Sequence, residues 1–297
     1  MPEQHRPTRL INRAKAPAVA LETTLLVHGL PPEEALTVAD QLDDAVAEAG
    51  SNPALVGVVH GSPVVGMTRD ELKLLTDAGS VPKLNTSNLG HALFTGSHGA
   101  TTVSTTMELA ERAGIRVFAT GGIGGVHRDY HLTPDISADL FALTRHRVAV
   151  VTSGCKNILD IPATREMLET LGIPVVGYRT DVFPAFYQRQ THLSVDATFD
   201  NPTELAAYLA FELARHKRGI VVANPIPESD EIAQNQWDEW LQEARNLPSV
   251  KSAGGRDATP ALLAEVHRLS AGRTVDANIA LAVSNAGLAG QLAAAMR

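Results

Sequence analysis

The stretch that most constrains the fold runs from Val117 to Leu140, VFATGGIGGVHRDYHLTPDISADL, followed at Val148 to Ile161 by VAVVTSGCKNILDI. In each half a short β-branched run ends in a small-residue turn and leads toward a helical pattern. That order puts exposed backbone N–H groups at the carboxyl end of a sheet, where α/β proteins bind ligands. Four of the five residues from Gly121 to Gly125 are glycine, so the main chain can approach a bound group closely. Asp135, Ser137 and Asp139 follow within a few residues, and Lys156 ends the next strand.

The same alternation recurs along the chain. Strands are expected at 16–21, 55–59, 115–119, 148–151, 175–178, 193–195 and 220–223. Helices are expected at 31–49, 101–113, 137–144, 164–171 and 202–216, with a shorter one after the capping box at Thr68. Residues 25–30 read as a loop carrying His28, and residues 183–187 as an aromatic loop. After residue 228 the pattern is helical, over 228–246, 259–269 and 275–296. A mostly parallel central sheet with helices on both faces and a helical C-terminal part follows. The whole chain, 1–297, is expected to form one domain behind a polar lead-in at 1–15.

Composition narrows the function. A net charge of −8 argues against a broad nucleic-acid-binding face, which needs clustered Lys and Arg. It leaves room for a local cationic pocket that takes a small phosphorylated ligand. The single cysteine, Cys155, excludes an internal disulfide and every multi-cysteine metal motif. No apolar run approaches the roughly 20 residues of a membrane span, and the start of the chain has no apolar signal core. A cytoplasmic protein is expected. With only six lysines to nineteen arginines, the two lysines set among apolar residues, Lys83 and Lys156, stand out.

Each candidate residue has a plain structural reading beside the chemical one. The glycine loop is either a tight strand-to-helix turn or, with His127, Arg128 and Ser137, a phosphate nest; it has neither dinucleotide-site nor P-loop spacing. Asp135 and Asp139 are either first-turn helix acids or carboxylates for a hard divalent ion. Lys156 is either a phosphate-binding cation or an amine that attacks carbonyl-like carbon. Cys155 and Lys156, as strand neighbours, point to opposite faces, which makes the cysteine a core residue.

Longer motifs carry a resemblance. ALETT at Ala20 to Thr24 with His28-Gly29, GATTVSTTM at Gly99 to Met107, VFATGGIGGVHR, DISADL, SGCKNILDI, ETLGIPVVGY at Glu169 to Tyr178 and VVANPIP at Val221 to Pro227 together resemble pseudouridine-5′-phosphate glycosidases. The resemblance implies an αβα core, a homotrimer and one divalent ion per subunit, usually Mn2+. It implies cleavage of a carbon–carbon glycosidic bond to uracil and ribose 5-phosphate. By matching motifs, Glu22 falls on the proton donor, Lys156 on the Schiff-base nucleophile and Asp135 on the metal ligand. Lys83, Val103, Ser137, Ala138, Asp139 and Asn278 fall on substrate-binding positions, and Thr120 and His127 are added from the glycine loop.

One departure stands out. Family members commonly continue K-x-S-R-R-D-L after the binding lysine, whereas this chain has Lys83-Leu-Asn-Thr-Ser-Asn88-Leu89. That change motivates an alternative, a related C-glycosynthase or C-nucleotide glycosidase that handles a non-uracil aromatic aglycone. A non-catalytic ribose-phosphate sensor is the alternative from a different class.

Overall fold

The computed structural model describes residues 9–128, 130–132, 134–252 and 258–296. Residues 1–8 of the expected lead-in lie outside them. In chain order the elements are β1 (Ile11–Asn12), β2 (Ala18–Glu22), α1 (Thr24–His28), α2 (Ala35–Glu48), β3 (Asn52–Val59), β4 (Ser62–Val65), α3 (Arg69–Asp77) and β5 (Lys83–Leu84). Next come α4 (Leu89–Thr95), β6 (Gly99–Thr101), α5 (Val103–Arg112), β7 (Val117–Ala119), α6 (Ala138–Leu143), β8 (Ala149–Thr152), α7 (Ile161–Thr170) and β9 (Val175–Tyr178). The remainder is β10 (Ala197–Phe199), α8 (Pro202–Arg215), β11 (Ile220–Ala223), α9 (Gln234–Asn246), α10 (Pro248–Lys251), α11 (Ala258–Leu269) and α12 (Arg273–Ala295).

All the strands join one sheet, with the main order β1-β4-β3-β2-β7-β8-β11-β9-β10 and β6 linking β5 to β3. Pairing is parallel except where β3 meets β4 and β6. The central strands are buried end to end: Val19, Ala20, Val150, Val151, Val221 and Val222 are all fully inaccessible. Such uninterrupted apolar runs, rather than alternating ones, are what a parallel sheet covered on both faces requires. α12 lies across β2, β7 and β8 with α2 and α8 beside it, while α5 packs on β2, β3 and α6.

Several boundaries differ from expectation. Residues 24–28 form the short helix α1 and not a loop, and β1, β4, β6 and α4 have no counterpart in the sequence reading. Residues 193–195 are not a strand; the edge strand is β10, and Ser194 makes only an isolated bridge to Val182. The capping box at Thr68 is present, with its hydroxyl accepting from Glu71 N and the Glu71 carboxylate from Thr68 N. Trp237 is buried against Tyr187, a core role.

Candidate active site

β2 sits between β3 and β7, so its last residue, Glu22, emerges at the carboxyl edge in the middle of the sheet. Thr120, the residue after β7, donates its hydroxyl to Glu22 Oε1. Burial pushes the Glu22 carboxyl up to about 7; the charge of Lys156, the Thr120 hydrogen bond and the charge of Lys83 pull the other way, and Asp139 adds to the rise. A carboxylic acid that titrates near neutrality is suited to giving and taking a proton.

Lys156 follows β8 through the turn Ser153-Gly154-Cys155. Gly154 has φ +81°, and a Cβ there would collide with the carbonyl oxygen of Pro184, so the turn requires glycine. Cys155 is fully buried, and burial pushes its thiol up to about 12. Lys156 faces the other way and is exposed. The turn is braced by Arg128, whose Nε and Nη2 donate to the carbonyls of Leu159 and Asn157, both at 3.2 Å. Arg128 is therefore engaged with the main chain of this turn.

Lys83 arrives from β5, paired with β6 beside β3. Burial and the neighbouring Lys156 charge lower its pKa, against the pull of Glu22. His28, at the end of α1, is lowered by burial and by the Lys83 charge.

Glu22, Lys83, Lys156 and Asn278 line one cleft of about 210 Å³. Asn278 comes from α12; it is buried, and its Oδ1 has no hydrogen-bond partner among the described residues. An acceptor left unpaired at a cleft wall is positioned for a ligand donor. Phe186, Tyr187, Leu263 and His267 form further wall. Sequence reasoning did not single these four out for function, although the aromatic loop holding Phe186 and Tyr187 was visible.

Behind the cleft, Asp139 is buried and accepts from Ser104 N at 3.0 Å and Gly124 N at 2.9 Å. It thereby holds the glycine loop to the first turn of α5, which begins at Val103. Ser137 caps α6 by accepting from Asp139 N, and Ala138 is the first residue of that helix. Ile123 N and Val126 N are likewise spent, on Gly154 O and Thr164 Oγ1. Only Gly121 and Gly122 of the loop line the cleft. The loop is thus largely a braced turn.

His127 and Asp135 do not line the cleft; they pair with each other, Nδ1 to Oδ2, at 3.7 Å. Among the described residues no group of three or more His, Cys, Asp or Glu side chains is disposed to hold a metal. The altered loop also looks inward: Asn88 Oδ1 accepts from Asn85 N at 2.8 Å, and Asn88 Nδ2 donates to Lys83 O at 3.0 Å.

A family model described as indigoidine synthase A like protein matches residues 9–295. A pseudouridine-5′-phosphate glycosidase of Methylobacterium nodulans is 47% identical over 285 residues, covering 96% of this chain and 85% of that protein. Another, from Solibacter usitatus, is 44% identical over 95% of this chain and 94% of its own length. The chain belongs to the pseudouridine-5′-phosphate glycosidase family. Solved structures agree on the fold of this family. An indigoidine synthase A-like protein of Thermotoga maritima superposes with a TM-score of 0.89 at 35% identity, covering 99% of this chain and 98% of that one. The prealnumycin C-glycosynthase AlnA, in complex with ribulose 5-phosphate, has a TM-score of 0.88 at 34% identity, covering 96% and 97%. Among the described residues, no helix is long and apolar enough to cross a membrane.

Proposed function

We propose that this protein is a C-glycosidase that cleaves pseudouridine 5′-phosphate to uracil and ribose 5-phosphate through a Schiff base on Lys156. The observation that carries this reading is the convergence of Glu22, Lys156 and Lys83 on one cleft. A carbon leaving group has no lone pair to protonate, so the two-carboxylate arrangement of ordinary glycosidases does not suffice. An amine that becomes an electron source at C1′ supplies what is missing.

In this reading Glu22 gives its proton to the ribose ring oxygen as the C1′–O bond breaks, and Lys156 Nζ forms a bond to C1′. The proton lost from nitrogen recharges Glu22, which passes it to C5 of the base. The C1′–C5 bond then breaks with its electron pair staying on uracil, and the nitrogen lone pair closes a C1′=N iminium. Water adds to C1′, releasing ribose 5-phosphate and the free lysine. Lys83 binds the phosphate or hydroxyl oxygens, and Asn278, Thr120 and the Val103, Ser137, Ala138 and Asp139 group shape the site. Asp135, with His127 beside it, would hold a divalent ion, Mn2+ in our reading, and the ion would supply positive charge there. The family likeness supports a cytoplasmic homotrimer, which sedimentation of the purified protein tests.

The relatives at 44–47% identity favour the uracil-releasing reaction. The C-glycosynthase at 34% identity keeps ring joining as the second reading. Purified protein should release uracil from pseudouridine 5′-phosphate faster than it joins ribose 5-phosphate to any other aromatic ring. Borohydride with ribose 5-phosphate should add mass to the peptide holding Lys156 in the wild type and not in Lys156→Met. A Lys156→Met enzyme with wild-type turnover ends the proposal.

A further inference from the structure

The cleft is lined by two chemically different sets of residues. Lys83, Lys156 and Glu22 act on one another through their charges, and Lys83 acts on His28. The other set, Phe186, Tyr187, His267 and Asn278, carries no carboxylate, lysine or arginine. Phe186 holds φ +57°, a left-handed conformation rare for an aromatic residue. It is fixed by its N–H donating to Ser153 O at 2.8 Å and by the hydrogen-bonded pair Ala185 and Gln188. Backbone strain held this firmly beside a cleft marks a functional wall. The Phe186 ring lies so close to Gly122 that a Cβ there would stand 2.5 Å from it.

Beyond the ring, Tyr187 Oη donates to Thr274 O at 3.1 Å, and Thr274 Oγ1 meets His267 Nδ1. Asn278 follows Thr274 by one turn of α12, with its unpaired Oδ1 against Gly121. A planar, uncharged ligand fragment matches this second set, and an anionic one matches the lysines.

With Ser270 donating to the main chain, the hydroxyl contacts assign the imidazole tautomer. Ser270 Oγ has one proton and donates it to His267 O at 2.9 Å. The Thr274 hydroxyl must then be the donor in its 2.9 Å contact with Ser270 Oγ. Thr274 Oγ1 is left with lone pairs toward His267, so Nδ1 carries the ring proton. Burial lowers the His267 pKa, which keeps the ring neutral. Nε2 is then a bare acceptor; it has no partner among the described residues, on a side chain that lines the cleft.

We propose that His267 Nε2 accepts the N1–H of the nucleobase and so makes His267 a specificity-determining residue for carbon-linked bases. Joined to ribose through C5, uracil keeps protons on both ring nitrogens. Joined through N1, as in uridine 5′-phosphate, it keeps only one. This inference rests on the function proposed above.

The test measures kcat/KM for pseudouridine 5′-phosphate and for its N1-methyl and N3-methyl derivatives with wild type, His267→Ala and His267→Gln. In the wild type the N1-methyl derivative should fall by about 10- to 100-fold and the N3-methyl derivative should not, the cost of leaving the acceptor unpaired. His267→Ala should lose that discrimination, whereas His267→Gln, whose amide oxygen is an acceptor, should recover part of it. Borohydride trapping of Lys156 with ribose 5-phosphate, which has no base, should persist in all three. Discrimination by His267→Ala equal to the wild type's, or no discrimination in the wild type, overturns the assignment. A wild type with neither trapping nor uracil release overturns the proposed reaction instead.

Discussion

The Thr120 hydroxyl donates to the Glu22 carboxylate across two neighbouring parallel strands, tying the proton-carrying group to the loop that forms the cleft floor. The bond favours the ionised form, yet burial outweighs it and leaves Glu22 titrating at about 7. Because Glu22 must enter the first step protonated and Lys156 as a free amine, log kcat/KM should be bell-shaped, with the Glu22 titration near 7 setting one limb. Glu22→Gln should remove both the activity and this limb. A pH–rate profile, flat through pH 8, would sink Glu22 as the donor.

The same shift has a stability consequence. Glu22 has an ordinary value of 4.5 and a folded value of about 7, so the folded protein binds the proton more tightly. Its favourable contribution is complete below pH 4.5 and is lost as pH rises through 7. Relative to wild type, Glu22→Gln should therefore gain stability as pH is raised from 4.5 to 8, by about 3 kcal/mol at most. Denaturant titrations at the two pH values measure this directly.

Lys83 supports two readouts. Replacing it with Gln should raise KM for the phosphorylated substrate by about 10- to 100-fold, the worth of a charge-assisted contact. Its charge also holds the Glu22 pKa down, so the Glu22 limb of the same profile should move upward. A KM change without movement of the limb would separate Lys83 from Glu22.

Gly154→Ala should be among the costliest single-methyl additions in the protein. The left-handed conformation alone costs an alanine about 1–2 kcal/mol, and displacing Pro184 adds to it. Lowered Tm together with loss of borohydride trapping at Lys156 is the expected pair of results.

For the metal, Asp135→Asn should abolish Mn2+ binding in equilibrium dialysis. His127→Ala, which removes a supporting partner, should weaken it on the order of 10-fold. Unchanged Mn2+ affinity in Asp135→Asn would move the ion elsewhere.

The parts of the cleft that come from strand ends were legible in the sequence. β2, β7 and β8 announce themselves as short apolar runs closed by Glu22, the glycine loop and the Gly154 turn, and local pattern suffices to put those turns on one sheet edge. Two kinds of residue escaped. His267, Leu263 and Phe186 reach the cleft only because α11 and the 183–188 turn fold back onto it, and contacts so distant in sequence leave no periodic trace. The glycine loop was over-read for the opposite reason. Its glycines and polar neighbours suit an anion, but Asp139 and Thr164 already occupy the N–H groups of Gly124 and Val126. The short strands β1, β4 and β6 are too brief for a pattern and are recruited by the long strand β3 and by one another.

α12 does more than cover the sheet. Asn285, fully buried on it, donates to Thr120 O at 2.8 Å and Ser153 Oγ at 3.2 Å, and accepts from Asn224 Nδ2 at 2.9 Å. Those partners sit just past β7, β8 and β11, and Thr120 lies 165 positions earlier in the chain. A nascent polypeptide still holding α12 in the ribosomal tunnel thus has every strand of the sheet but lacks the clasp across three of their ends, and competence arrives only with that helix.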